Sequence, residues 1–150
     1  MIGVGIIGCG LIGEKRANAL GAKAKLVACA DLQIERAEKL SNGQARAFQN
    51  WRDLIALHEV DMVIVATLHD SLAEIVSESV KFGKHVLVEK PAARTVRELQ
   101  ELISEVQYQY VKIRVGFNHR YHRAMQKAKE LVVDGKIGET AKEIWTSAPD

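Results

Sequence analysis

A chain of 150 residues, 47% apolar and 27% charged, has the composition of a globular protein and length enough to bury a real core. Its 21 basic and 19 acidic residues give a formal net charge of +2 without a basic stripe, which argues against a nucleic-acid partner. The apolar runs are too short to span a bilayer, no signal-peptide pattern precedes the first strand, and the two cysteines, Cys9 and Cys29, match no metal spacing. The expectation is a cytoplasmic protein in a reducing compartment, with no membrane and no nucleic acid among its partners.

Taken in order, the chain alternates strand and helix signals. The run "IGVGII" (2–7) predicts a strand, followed by a glycine-rich turn and a helix opening at about Leu11. "KLVACA" (25–30) predicts a second strand closed by Asp31, with Arg36 on the outer face of the helix beyond it. A short strand at "ARAF" (45–48) leads to a helix over 51–57. "VDMVIVAT" (60–67) and "KHVLVE" (84–89) are almost continuously apolar, as strands buried on both faces should be. Between them Leu72, Ile75, Val76 and Val80 recur at helical spacing, and Ser71 with Glu74 fits a capping box. Val96, Leu99, Leu102, Ile103 and Val106 mark another helix, with Thr95 and Glu98 as its capping box. Gly83 and Gly135 sit where helix C-terminal glycines belong. In "VKIRVGF" (111–117), Lys112 and Arg114 alternate with Val111, Ile113 and Val115, the pattern of an edge strand with one wetter face.

Alternation of this kind specifies an α/β fold with a doubly wound parallel sheet of six strands, because each crossover must return over the sheet. Beyond residue 118 a helix is expected from about Tyr121 to Val133, with Ala124, Met125, Ala128, Leu131 and Val132 on one face. "TAKEIWTS" then predicts a strand with no evident partner. The expected organisation is a dinucleotide-binding domain over 1–118, then over 119–150 a helix and the first strand of a truncated α+β second domain.

The turn Gly8-x-Gly10-x-x-Gly13 is weak evidence alone, but its context supplies what a pyrophosphate needs. A strand precedes it and a helix N-terminus, with unpaired N–H groups and a positive dipole end, follows. Gly8 permits the tight turn, Gly10 lets phosphates approach the backbone, and Gly13 lets helix and strand pack closely. Asp31, 18 residues after Gly13, closes the next strand, where a carboxylate can take both ribose hydroxyls and repel a 2′-phosphate. NAD(H) is therefore favoured over NADP(H), although Arg36 is an arginine near the same strand end. Cys9 reads as a small side chain fitting beside the cofactor. The competing reading is that the glycines serve only a tight turn and Asp31 only a helix cap.

The stretch "HVLVEKPAARTVRELQELI" (85–103) carries a second signal. Pro91 disfavours helical geometry at Lys90, leaving Glu89 and Lys90 at the carboxyl end of a central strand, where open α/β sheets bind ligands. A lysine beside a nicotinamide can hydrogen-bond a substrate oxygen and stabilise charge developing on it.

That stretch, the glycine turn, "VIVATLHDSLAEI" (63–75) and "VGFNHRYHRAMQKAKELVVDGKIGE" (115–139) together closely resemble the glucose–fructose oxidoreductase / inositol dehydrogenase / MocA family. The resemblance covers the whole chain, and its most specific element is the strand-ending Glu-Lys-Pro. It implies an N-terminal NAD(P)-binding Rossmann domain, and an NAD(P)-dependent oxidoreductase moving hydride between nicotinamide and a carbon of a sugar, cyclitol or related polyol. It makes Lys90 the catalytic lysine. It assigns cofactor contacts to Gly8, Cys9, Gly10, Leu11, Ile12, Gly13, Asp31, Ala66, Thr67, His69, Glu89, Lys90 and Asn118. Glu89 is expected at the cofactor ribose or orienting Lys90. Leu68 and Leu72 stand where the family often has proline and histidine, which leaves the shape of that loop open. His69 has two readings, a general base and a residue packing at the helix entry. Arg120 is a fainter candidate, and His119 and His122 are expected to pack or face solvent. The five histidines are scattered, and no metal site is expected.

Relatives draw their proton-transfer histidine and its aspartate from the second domain, and nothing in 119–150 matches that motif. The chain by itself is therefore expected to bind nucleotide and to turn over slowly or not at all, with homo-oligomers expected of a longer form. A non-catalytic nucleotide-binding module or sensor remains the alternative.

Overall fold

The computed structural model describes residues 1–107 and 110–138. One compact unit runs from Met1 to Gly116 and a second begins at Phe117. The first unit alternates strand and helix: β1 (Ile2–Ile7), α1 (Leu11–Asn18), β2 (Ala24–Ala30), α2 (Ile34–Ser41), β3 (Arg46–Phe48), α3 (Trp51–Ile55), β4 (Met62–Val65), α4 (Leu72–Lys81), β5 (His85–Val88), α5 (Val96–Val106) and β6 (Ile113–Val115). All neighbouring strands are parallel, in the order β3-β2-β1-β4-β5-β6. The order reverses between β1 and β4, the switch point outside whose carboxyl ends such sheets open a crevice. The charged alternation of the last strand is explained by its place, since β6 lies at the sheet edge.

Period-two alternation in β1 sends Val4 and Ile6 to one face, with Ile64 and the apolar residues Ala17, Leu20 and Leu40 of the α1–α2 layer. The other face receives Ile7, Ala28, Ala30, Val63 and Val65 against Leu54, Ile55, Leu72, Ile75, Val76 and Val80. Each large aliphatic side chain buried in this way stabilises the fold by about 1.5–3 kcal/mol. Close approach of α3 to the sheet depends on the small residue in β1. A Cβ at Gly5 would stand 2.5 Å from the Leu54 side chain.

Several boundaries and caps differ from expectation. The run at 60–67 forms a strand only over Met62–Val65, because Val60 closes a turn onto Leu57 and Ala66 and Thr67 leave the sheet toward the next loop. Likewise 84–89 and 111–117 shorten to His85–Val88 and Ile113–Val115. Ser71 does not build a capping box with Glu74. Its φ and ψ of −106° and −8° are helical, so its hydroxyl donates back to Thr67 Oγ1 at 2.9 Å and Glu74 pairs with Arg52. Thr95 does accept the Glu98 N–H, at 3.2 Å, but the Glu98 carboxylate takes the N–H of Arg94 instead of that of Thr95. Gly83 and Gly135 adopt φ of +72° and +71° just past their helices.

The second unit holds a 3₁₀ turn over Asn118–Tyr121 and then α6 (Arg123–Val133), capped by His122, whose Nδ1 accepts the Ala124 N–H at 3.4 Å. The helix expected from about Tyr121 thus begins at Arg123, after the 3₁₀ turn. On its apolar face Val132 is buried while Met125 is 39% exposed. The strand expected at 140–147 lies outside the described residues. Among the described residues no helix is long and apolar enough to cross a membrane.

Candidate functional site at the strand carboxyl ends

The glycine turn leaves β1 through Gly8 at φ +91°, a conformation that L side chains rarely adopt. A Cβ there would stand 2.6 Å from the Ala66 carbonyl and 2.8 Å from the Thr67 nitrogen, so the turn is wedged against the end of β4. A Cβ at Gly13 would run into the Gly8 carbonyl oxygen, so α1 lies directly on the turn. Gly10 is different. A Cβ on it would meet nothing within 4 Å, and it is the N-cap of α1 with no side-chain hydrogen bond closing the helix start. Two glycines therefore make the turn, and the third leaves open space in front of the α1 dipole. The positive end of the α1 dipole and the free space at Gly10 suit a pyrophosphate.

Asp31 reaches this turn from β2. Its Oδ2 accepts the Cys9 N–H at 2.8 Å and its Oδ1 accepts the Gln33 N–H at 2.9 Å. The N-cap of α2 is Gln33, so Asp31 is not the cap of that helix. Cys9 is buried, and its thiol donates to the Ala30 carbonyl at 3.4 Å. The neighbouring Cys29 thiol and burial push the Cys9 thiol far above its ordinary range, so it sits as an inert filler under the turn. Leu11 and Ile12 are exposed at the mouth, as are Leu32 and Leu68 on the adjoining loops. Arg36 is exposed on α2.

On the other side of the switch point, Ala66 donates its N–H to the Ile7 carbonyl at 2.8 Å, tying the β4 loop to β1. Thr67 accepts from Ser71, and His69 is exposed beyond it. Leu72, at the position of a family histidine, is wholly buried in the core. At β5, Glu89 donates its N–H to Val65 at 2.9 Å, and its carbonyl accepts the Ala92 N–H at 3.0 Å, closing a tight turn. Lys90 and Pro91, joined by a cis peptide bond, form the middle of that turn, and Lys90 is exposed at its tip. The Glu89 carboxylate, largely but not wholly buried, takes the Nε of Arg16 at 2.6 Å together with its Nη2.

The fold thus brings Gly8, Cys9, Gly10, Leu11, Ile12, Gly13, Asp31, Ala66, Thr67, His69, Glu89 and Lys90 to the carboxyl ends of β1, β2, β4 and β5. Asn118 belongs to the second unit, where it opens the 3₁₀ turn and is exposed. Sequence reasoning missed Arg16, which the fold brings onto the Glu89 carboxylate. Among the described residues no three His, Cys, Asp or Glu side chains gather as metal ligands.

A family model described as "Oxidoreductase family, NAD-binding Rossmann fold" matches residues 2–117. The chain is 32% identical over 140 residues to the myo-inositol 2-dehydrogenase of Thermotoga maritima, covering 91% of this chain and 42% of that protein. An NAD-binding oxidoreductase from Klebsiella pneumoniae superposes with a TM-score of 0.77 at 29% identity, over 92% of this chain and 40% of the other. The scyllo-inositol dehydrogenase of Lactobacillus casei, solved with NAD(H) and scyllo-inositol, shares the fold, with a TM-score of 0.83 at 24% identity over 93% of this chain and 43% of that one. The chain therefore spans about two-fifths of the length of the relatives it matches.

Proposed function

The chain belongs to the oxidoreductase family with an NAD-binding Rossmann fold, and from that membership we propose that it is the cofactor-binding part of a dehydrogenase acting on a cyclitol, sugar or related polyol. The observation that carries this reading is the open space at Gly10 before an uncapped helix start, with the Asp31 carboxylate beside it. The amide donors of the turn and the first turn of α1 hold the pyrophosphate. Asp31 takes the adenosine ribose hydroxyls and disfavours a 2′-phosphate, so NAD(H) binds more tightly than NADP(H). With the pyrophosphate at the switch point and adenosine on the β2 side, the second nucleoside lies over β4 and β5, against Ala66, Thr67 and Glu89. The bound dinucleotide supplies the hydride acceptor or donor. Lys90, exposed at the tip of its turn, holds the substrate oxygen by a charged hydrogen bond as that oxygen loses or gains its proton. Similarity to proteins named inositol dehydrogenases supports a cyclitol as the first substrate class to screen.

Calorimetric titration of this chain with NADH, NADPH and ADP-ribose tests the reading. Binding of NADH in the micromolar range, competed by ADP-ribose, is expected. Binding of none of the three would remove the dinucleotide site altogether.

A further inference from the structure

Arg16, on α1, and Glu89, just past the carboxyl end of β5, are 73 residues apart in sequence and meet through their side chains. Both Nε and Nη2 of Arg16 donate to one carboxylate oxygen of Glu89, and the two side chains are only 20% and 13% exposed. The third wall is Gly116, at the end of β6. A Cβ there would lie 3.1 and 3.2 Å from the Glu89 oxygens and 3.3 Å from Arg16 Nη2, tighter than ordinary packing. The Glu89 backbone is held on both sides, by Val65 and by Ala92. This is a fixed, largely desolvated ion pair, and Lys90, the next residue, is left outside it. A charge stripped of its partner at such a place acts at a lower effective dielectric than one on the surface.

The inference rests on the dinucleotide reading above, which puts the nicotinamide end over β4 and β5. An oxidised nicotinamide ring is a cation and a reduced one is neutral, so a carboxylate close to the ring discriminates between them. We propose that Arg16 is a positioning residue that neutralises and orients Glu89, and that it thereby sets the relative affinity of the site for the oxidised and the reduced cofactor. Paired, Glu89 presents little net charge to the ring. Unpaired, it would hold the cationic form and slow its exchange. Arg16 acts through Glu89 and touches neither substrate nor ring.

The test is the ratio of NAD⁺ to NADH affinity, with ADP-ribose, which lacks the nicotinamide, as the control. Arg16→Gln is expected to shift the ratio toward NAD⁺ by at least about tenfold, the lower end for one partly screened charge near the ring, while ADP-ribose affinity stays within about twofold. The double variant Arg16→Gln with Glu89→Gln is expected to return the ratio to that of the unmutated chain. An unchanged ratio in a folded Arg16→Gln overturns the proposal. So does a loss of ADP-ribose affinity equal to that of the dinucleotides, which would mark Arg16 as a brace of the fold alone. Should Arg16→Gln fail to fold, Glu89→Gln decides. It leaves the Arg16 cation unopposed and must shift the ratio toward NADH, and an unshifted ratio sinks the idea. If the unmutated chain binds none of the three ligands, the dinucleotide reading fails first and this inference falls with it.

Discussion

The carboxylate of Asp31, at the end of β2, accepts the backbone N–H of Cys9 inside the glycine turn at 2.8 Å, from 22 residues further along the chain. Its other oxygen accepts from Gln33 at 2.9 Å, so the acid is braced across the mouth of the turn by backbone groups on both sides. An acid held in this way would have to give up both bonds to move aside for a 2′-phosphate. The chain is expected to bind NADH at least about tenfold more tightly than NADPH, the scale of a close like-charge contact at partial exposure. Asp31→Asn keeps an acceptor and removes the charge, and should narrow that gap. Equal affinities for the two cofactors in the unmutated chain, measured by titration, would refute the assignment of Asp31.

The glycines of the turn separate by a paired substitution. Gly13→Ala drives a methyl into the Gly8 carbonyl and should lower stability by about 1–3 kcal/mol, as overpacking of a tight contact does. The Cβ of Gly10→Val meets nothing within 4 Å, so the substitution should leave the thermal midpoint close to that of the unmutated chain. Its side chain would occupy the phosphate space, so NADH binding should be lost. A Gly10→Val chain that binds NADH normally would mean the turn is structural only.

Much of this was legible in the sequence, for identifiable reasons. Near-continuous apolar runs marked β4 and β5 as central strands, and the alternation of Lys112 and Arg114 marked β6 as an edge. The glycine spacing encoded a turn in which Gly8 and Gly13 have no room for a side chain, while Gly10 has free space before it. What was hidden depended on backbone angles or on topology. Ser71 and Glu74 are the residue types of a capping box, but the helical φ and ψ at Ser71 send its hydroxyl backward. Val96, Leu99 and Ile103 have helical spacing and stay exposed, because periodicity identifies a helix without saying how much of its face is covered. Arg16 gave no signal, since its partner Glu89 lies 73 residues away and is brought to it only by the sheet order.

Lys90 makes a prediction that divides binding from chemistry. It is exposed at the tip of the Glu89–Ala92 turn, while the backbone of that turn is held by the Ala92 N–H to Glu89 and the Glu89 N–H to Val65. Lys90→Ala should therefore leave NADH affinity within about twofold. In a form of the protein that oxidises a polyol, the same change should lower turnover by about 10²–10³, as removal of one donor to a developing oxyanion does. Turnover near that of the unmutated protein with NADH binding intact would remove Lys90 from the chemistry.

Lys84 carries a prediction about stability alone. It is 9% exposed, just before β5, and its ammonium donates to the Leu57 carbonyl at 2.8 Å, joining the loop after α3 to the end of α4. Burial holds its pKa below the ordinary lysine value of 10.5, with Asp61 and Glu59 opposing the shift. A base whose folded value is lowered gives up its proton earlier in the folded state than in the unfolded one. Between the lowered value and 10.5 the unfolded chain therefore binds more protons, and stability must rise with pH across that window. Lys84→Met removes both the titration and the donor. It should cost about 1 kcal/mol at neutral pH from the lost hydrogen bond to the Leu57 carbonyl, which keeps only the Val60 N–H, and abolish the alkaline rise. Urea unfolding of the two chains from pH 8 upward decides the matter. Parallel stability curves would mean that the Lys84 ammonium is as well solvated in the folded chain as in the unfolded one.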